Sequence, residues 1–241
     1  MQAVILAGGL GTRLRPILSH RPKSMADFGA KPFLEYQVEW LRGFGIGEIL
    51  LCVGHLHEQI QSWFGDGSRW DVRIRYSVEP SPLGTGGALR LARPHLRETF
   101  LLLNGDSYLE LDLADFVDCH RRARLADGRC LGTLALARVP DASAYAAVSI
   151  DAGRRILAYA EKAQAASAWI SAGIYALEAA ILDGVPAGRA LGLERDVLPA
   201  ALGSGHLYGY PADGFFVDIG TPQGCRTFAN HLEAARHDPA Q

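Results

Sequence analysis

Lysine is nearly absent from this chain. Of its 24 basic residues, 21 are Arg and three are Lys: Lys23, Lys31 and Lys162. Against such a tilt, each surviving lysine is a candidate for a position that needs a compact ammonium rather than a planar fork. Charge of one sign is lacking too. The formal net charge is −2, so no basic field points to nucleic acid or to an anionic membrane surface. No apolar run approaches the roughly 20 residues that span a bilayer, and the short apolar stretch at the N-terminus has no basic leader, unlike a secretion signal. Cysteine is sparse. Cys52, Cys119, Cys130 and Cys225 are scattered without a CxxC pair, which argues against zinc and against a disulfide framework and fits reduced thiols in a cytoplasmic protein. Internal repeats, low-complexity tracts and Pro/Ser linkers are missing as well. What is present, 241 residues of which 49% are hydrophobic, suffices for one sizeable core.

The chain opens with Val4-Ile5-Leu6-Ala7-Gly8-Gly9-Leu10-Gly11-Thr12-Arg13-Leu14-Arg15-Pro16. A short apolar run reads as a buried strand, and it empties into a loop holding Gly8, Gly9 and Gly11. Glycines let a backbone bend and approach a ligand without an obstructing Cβ. Successive N–H groups of such a loop can enclose an anion. Arg13 and Arg15 add forked donors suited to phosphate oxygens. The stretch therefore reads as a grip for a polyphosphate. It is not a Walker loop, since no Gly-Lys-Ser/Thr follows. It is not the dinucleotide fingerprint either, since Thr12, Arg13 and Pro16 stand where that pattern opens a helix.

The first half alternates strand and helix patterns. Strands are expected at 2–6, 48–53, 72–78 and 100–104, and helices at 33–41 (opened by Pro32 in its first turn), 57–64, 86–92 and 113–124. Such alternation implies an α/β fold: a Rossmann-like, mostly parallel or mixed sheet with helices on both faces. Ligands in such sheets sit beyond the carboxyl ends of the strands. The second half is strand-rich, with strands expected at 131–138, 146–150, 155–161, 169–177, 206–210 and 215–218. Helices are expected there at 178–182, 193–202 and from Pro222 to about His237. We read 1–241 as one domain, with an alternating half over about 1–125 and a strand-rich half with the C-terminal helix over about 126–241.

Three further strings carry chemistry. In Ser77-Val78-Glu79-Pro80-Ser81-Pro82-Leu83-Gly84-Thr85-Gly86-Gly87-Ala88 a strand ends, prolines stiffen a turn and glycines open a helix whose first N–H groups have no helical partner. The Glu79 carboxylate suits the adjacent N1–H and N2–H donors of guanine better than the single imide donor of uracil or thymine; the plainer alternative is that it caps the following turn. Leu101-Leu102-Leu103-Asn104-Gly105-Asp106-Ser107 puts a carboxylate directly after a buried strand, a costly place unless it is used. Asp218, in Phe215-Phe216-Val217-Asp218-Ile219-Gly220-Thr221-Pro222, repeats that arrangement. Two strand-end carboxylates on one crevice could clamp Mg²⁺ against a phosphate. Lys23 lies ten residues past Arg13, where it can return to the phosphates. Glu161-Lys162 at a strand end pairs a hydroxyl acceptor with an ammonium for a sugar phosphate, and Glu194 is expected to face the same pocket. Lys31 reads as structural, Asp213 as a turn residue, and His55 and His57 as a surface helix start; His95, His120 and His206 have no evident partner in the sequence.

In order and spacing, these strings resemble the sugar-1-phosphate nucleotidyltransferase family over nearly the whole chain. Leu-Gly-Thr-Gly-Gly-Ala and Leu-Asn-Gly-Asp-Ser are most similar to the D-glycero-α-D-manno-heptose 1-phosphate guanylyltransferases, with mannose-1-phosphate guanylyltransferases as near relatives. The resemblance implies the fold read above and transfer of a nucleotidyl group from an NTP, GTP favoured, to a sugar 1-phosphate. Leu6, Ala7, Gly8, Gly9, Gly11, Thr12 and Arg13 would bind the triphosphate, and Glu79, Gly84 and Thr85 the base side. Arg13 and Lys23 would neutralise phosphate charge, and Asp106 and Asp218 would hold Mg²⁺. Asn104, Gly105, Glu161, Lys162, Gly173 and Glu194 would meet the sugar phosphate, with the surroundings of Tyr108 and of 169–173 choosing the sugar. The family's Pro-Lys-Pro-Met is here Pro22-Lys23-Ser24-Met25; the exchange frees the backbone beside Lys23 and removes no functional group. No acyltransferase β-helix extension is seen, so a second activity is not expected. UTP or dTTP with glucose 1-phosphate, and a non-catalytic nucleotide-sugar sensor, are the alternatives. A glycosyltransferase would show Asp-x-Asp at a strand end, which is absent. Oligomeric state, a homo-oligomer included, is left open.

Overall fold

The computed structural model describes residues 1–9, 20–139, 142, 145, 147–160 and 169–237. Strands buried on both faces build its central sheet. In β1 (Gln2–Leu6), Ala3 and Ile5 join one apolar cluster and Val4 and Leu6 join another on the opposite face. The same division holds in β4 (Glu48–Val53) and in β6 (Thr99–Asn104), where Leu101 and Leu103 face away from Phe100 and Leu102. Successive strand side chains point to opposite faces, so strands apolar throughout must be covered on both. Helices α1 (Phe33–Gly43), α2 (His57–Phe64) and α4 (Leu113–Ala126) cover one face, burying Leu34, Val38, Leu41, Ile60, Phe64 and Phe116. Helices α3 (Gly84–Ala92) and α5 (Leu198–Ser204) cover the other through Ala88, Leu89, Ala92, Leu198 and Ala201.

Strands β1, β4, β6 and β5 (Arg73–Val78) run parallel. β11 (Trp169–Glu178) joins β6 antiparallel and leads to β8 (Cys130–Arg138), β9 (Ala147–Ile150), β10 (Ile156–Ala160) and β12 (His206–Pro211). The sheet so formed has nine strands among the described residues, parallel across β1, β4, β5 and β6 and mixed beyond them. Two-residue strands β2 (Asp27–Phe28) and β3 (Lys31–Pro32) make a small ribbon before α1. β7 (Ser107–Leu109) and β13 (Phe216–Asp218) make another. The latter is backed by α6 (Pro222–His237), whose Phe228 is fully buried among Phe28, Phe33, Tyr36 and Tyr108 with ring centroids 4.9–5.5 Å away.

The expected elements are present with four corrections. Pro32 caps α1 from an extended conformation instead of sitting in its first turn. α3 begins at Gly84, two residues earlier than read. The helix read over 178–182 is a four-residue 3-10 helix, Ala179–Leu182, a single tight turn instead of an α-helix. The helix read over 193–202 opens as a wide π turn, Leu193–Val197, before α5. Ala146, Glu161 and the expected loop residues Gly11, Thr12 and Arg13 lie outside the described residues. No helix among the described residues is long and apolar enough to cross a membrane.

Candidate active site

The carboxyl ends of β1, β5 and β6 open onto a cavity of about 420 Å³. Leu6 and Ala7 form its floor, with the Ala7 N–H held by the Cys52 carbonyl at 2.7 Å. Gly8 and Gly9 line its wall. A Cβ on Gly8 would meet Glu79 Oε1, so a side chain there would displace this carboxylate. Glu79 does cap its turn: Oε2 accepts the Leu83 N–H at 2.9 Å. Its other oxygen lies in the wall between Gly8 and Gly54. Burial pushes its carboxyl up, against the lowering pull of the Leu83 N–H. Cys52 is no nucleophile here, because burial, with Glu79 adding, drives its thiol up to about 12.

The start of α3 differs from expectation. The N–H groups of Gly86 and Gly87 both donate to the Leu191 carbonyl, at 2.8 and 3.2 Å, so they are not free for a ligand. Thr85 Oγ1 accepts from the Leu193 N–H at 2.8 Å. A loop distant in sequence thus satisfies the helix terminus and ties α3 to a second cavity, also about 420 Å³, which shares Gly84, Thr85 and Asn104 with the first. Glu194 lines this second cavity and accepts a short hydrogen bond from the buried Tyr175 hydroxyl. Burial pushes the Glu194 carboxyl up, and the charges of Asp106 and Asp218 add to it.

The two strand-end aspartates converge. β7 and β13 pair antiparallel with Asp218 opposite Ser107, and the Ile219 N–H donates to the Asp106 carbonyl at 2.9 Å. Lys23, in the turn Lys23–Met25, reaches both: its ammonium makes a short contact with Asp106 Oδ2 and lies 3.6 Å from Asp218 Oδ1. Gly105 seats the hairpin on β1 by donating to the Leu6 carbonyl at 2.9 Å. Gln37 of α1, a buried residue with no distinguishing pattern in the sequence, staples it from below by donating to the carbonyls of Asn104 and Ser107 at 2.8 and 2.9 Å. Gly173 sits at a register shift of β11 with φ +75°, and a Cβ there would come within 2.9 Å of Asn104 Nδ2 and Ser107 Oγ. That backbone conformation disfavours any side chain and brings β11 against the aspartate hairpin.

Of the predicted site residues, the structure gathers Leu6, Ala7, Gly8, Gly9, Lys23, Glu79, Gly84, Thr85, Asn104, Gly105 and Asp106 around the first cavity. Asp218 joins through Lys23, and Glu194 lines the adjoining cavity. Gly11, Thr12, Arg13, Glu161 and Lys162 lie outside the described residues. Lys31 is structural, pairing with Glu39 and lying 4.2 Å from the Tyr36 ring centroid. Two histidines do have partners, supplied by other elements of the fold. His120 is buried between Thr133 and Glu178, each at 3.0 Å, and His206 pairs with Asp127. Among the described residues no cluster of three or more His, Cys, Asp or Glu could hold a metal alone.

The site is thus a cavity at the strand ends of a parallel-to-mixed sheet, flanked by two carboxylates and a lysine. The chain belongs to the Nucleotidyl transferase family, whose profile matches residues 2–235. It is 37% identical to a Mycobacterium tuberculosis mannose-1-phosphate guanylyltransferase, over 92% of this chain and 62% of that protein. It is 35% identical to the D-glycero-alpha-D-manno-heptose 1-phosphate guanylyltransferase of Aneurinibacillus thermoaerophilus, over 97% of this chain and 99% of that protein. It is 36% identical to a Synechocystis UTP–glucose-1-phosphate uridylyltransferase, over 91% of this chain and 60% of that protein. The chain thus spans about three fifths of the length of two of these relatives. Among solved structures, HddC from Yersinia pseudotuberculosis complexed with GMP-PN superposes with a TM-score of 0.82 at 29% identity, covering 96% of this chain and 99% of that one.

Proposed function

We propose that this protein is a sugar-1-phosphate nucleotidyltransferase that joins GTP to a heptose 1-phosphate, D-glycero-α-D-manno-heptose 1-phosphate in first place, and releases pyrophosphate. The observation that carries this reading is the convergence of Asp106, Asp218 and Lys23 beside the first cavity, which adjoins the second through Gly84, Thr85 and Asn104. The first suits a nucleotide and the second a sugar phosphate. GTP is supported by the Glu79 carboxylate oxygen in the wall of the first cavity. It is also supported by the guanine nucleotide named for HddC and by the near-full-length likeness to a heptose enzyme. Mannose 1-phosphate is the second reading, favoured by the 37% identity to the mycobacterial protein. The product would serve surface polysaccharide synthesis from the cytoplasm.

In the proposed reaction a sugar-phosphate oxygen attacks the α-phosphorus in line. The bond to the departing pyrophosphate breaks as the new P–O bond forms, so the protein's task is positioning and charge neutralisation. The donor set fits Mg²⁺: two carboxylates, Asp218 on the β7–β13 ribbon and Asp106 just before it, with no third protein ligand among the described residues, leave coordination positions for phosphate oxygens and water. Asp106 and Asp218 would hold the ion, which when bound supplies positive charge beside the α-phosphate. Lys23 neutralises phosphate charge from the protein side, the hairpin of Asn104 and Gly105 aligns the sugar phosphate, and Glu194 receives sugar hydroxyls. Arg13 would grip the triphosphate and Glu161-Lys162 the sugar phosphate. A matrix of four NTPs against heptose, mannose and glucose 1-phosphates, read by pyrophosphate release, tests the assignment. GTP with heptose 1-phosphate should give the highest kcat/KM, and Asp106→Asn should lower turnover by at least about a hundredfold. No pyrophosphate with any pair, or near-normal turnover by Asp106→Asn, overturns it.

A further inference from the structure

Among the described residues lining the first cavity, Lys23 is the single basic one. It does not reach into open space. Its side chain is 13% exposed, and its ammonium is shared between Asp106 and Asp218. The backbone is shaped around it: a Cβ on Gly220 would strike Lys23 Nζ and come within 2.6 Å of Asp218 Oδ1. The cradle therefore fits a compact point charge between two carboxylates. Lysine stands here in a chain whose basic residues are otherwise almost all arginine. Its ammonium offsets the mutual repulsion of these two carboxylates and their repulsion of an approaching polyphosphate.

We propose that Lys23 is the resident counter-ion of the metal site, exchanged for a divalent cation when nucleotide binds. The inference rests on the nucleotidyltransferase reading and goes further, assigning the lysine a place in the free enzyme as well as in the reacting one. In the free enzyme its ammonium fills the seat between Asp106 and Asp218. A divalent cation entering alone must displace it and leave it with no counter-charge. A cation arriving with a nucleotide does not, because the phosphate oxygens give the ammonium a new partner. Metal and nucleotide then bind with positive coupling, each raising the affinity of the other by the same factor. Metal affinity in the absence of nucleotide is reduced by the fraction of time that the lysine vacates the seat.

The test is Mn²⁺ binding to the full chain without nucleotide, followed by electron paramagnetic resonance, for wild type and Lys23→Met. The variant should bind Mn²⁺ about tenfold more tightly or better, the gain expected when a competitor holding the site nine-tenths of the time is removed. It should also lose most of the coupling between Mn²⁺ and a non-hydrolysable GTP analogue. Lys23→Gln should move both readings the same way, and Asp218→Asn should weaken Mn²⁺ binding in either background. A lysine that only contacts phosphate predicts unchanged nucleotide-free Mn²⁺ affinity. That result, or weaker or undetectable Mn²⁺ binding by both lysine variants, overturns the exchange. A wild-type protein that shows the exchange yet releases no pyrophosphate would sink the functional reading and leave this inference standing.

Discussion

Replacing Glu79 with glutamine separates the two tasks that one side chain performs. Oε2 caps the turn by accepting the Leu83 N–H at 2.9 Å, and a glutamine oxygen can keep that bond. Oε1, in the wall between Gly8 and Gly54, becomes an NH₂ group. Facing guanine, this sets donor against donor where a charged acceptor stood. Hydrogen bonds to charged groups contribute about 1.5–3 kcal/mol. At 1.4 kcal/mol per factor of ten, kcat/KM for GTP should fall by about 10- to 150-fold. UTP, whose carbonyl oxygens can accept from an amide, should lose little or gain. The assay is pyrophosphate release with GTP and UTP at saturating sugar phosphate, with thermal unfolding as a check that the turn is intact. A GTP/UTP ratio that moves by less than about threefold, against the scale of a lost charged hydrogen bond, refutes base reading by Glu79 and leaves it a turn cap.

The same side chain predicts a pH dependence with a definite sign. Burial pushes the Glu79 carboxyl above its ordinary 4.5, so it takes up a proton before a free glutamate would as pH falls. A protonated carboxyl no longer accepts from both guanine donors. Wild-type GTP preference should therefore erode toward acid pH, beginning above the ordinary glutamate value, while Glu79→Gln stays flat across that range.

Two predictions concern the scaffold. The Glu194 carboxyl is pushed up in the fold, so the folded form holds its proton more tightly than the unfolded chain, and stability is lost as pH rises from the ordinary carboxyl value through the raised one. Glu194→Gln keeps an acceptor for the Tyr175 hydroxyl and should raise Tm at pH 8 while narrowing the loss between acid and neutral pH; a lower Tm at pH 8 with an unchanged profile would show that this carboxyl is not the source. Phe228→Ala empties a fully buried site among four rings and should cost about 3–5 kcal/mol, or about 6–20 °C in Tm at this chain length; a drop under about 3 °C would mean that α6 does not brace the β7–β13 ribbon.

Much of the fold was legible because its strongest signals are local. The ranges of β1, β4 and α2 follow from apolar runs and spacing alone. The ribbon of β7 and β13 was half seen. Each strand has three residues, too few for a period to declare itself, and they pair across more than a hundred positions. The site was read from chemistry: an acid after a buried strand, a glycine-rich turn, a rare lysine. Long-range satisfaction escaped that reading. The Leu191 carbonyl takes the N–H groups expected to stay open on α3, and Gln37 holds two carbonyls of the aspartate hairpin. Neither residue type marks such a role, since any backbone carbonyl, or any amide at the right height on α1, would serve.

The ribbon explains why the carboxylates are suited to hold a cation that comes and goes. Their separation is fixed by backbone, through the Asp218–Ser107 register and the Ile219 N–H bond to the Asp106 carbonyl. Behind them, α6 closes a small aromatic core around Phe228, so the ribbon cannot spread without opening that core. Lys23 reaches the same place on four methylenes from a separate turn and is attached to the carboxylates only through its side-chain head. Rigid ligands and a tethered, movable cation are what an exchange requires. A lysine held as firmly as the aspartates would exclude the metal, and aspartates as free as the lysine would collapse onto whichever cation arrived first.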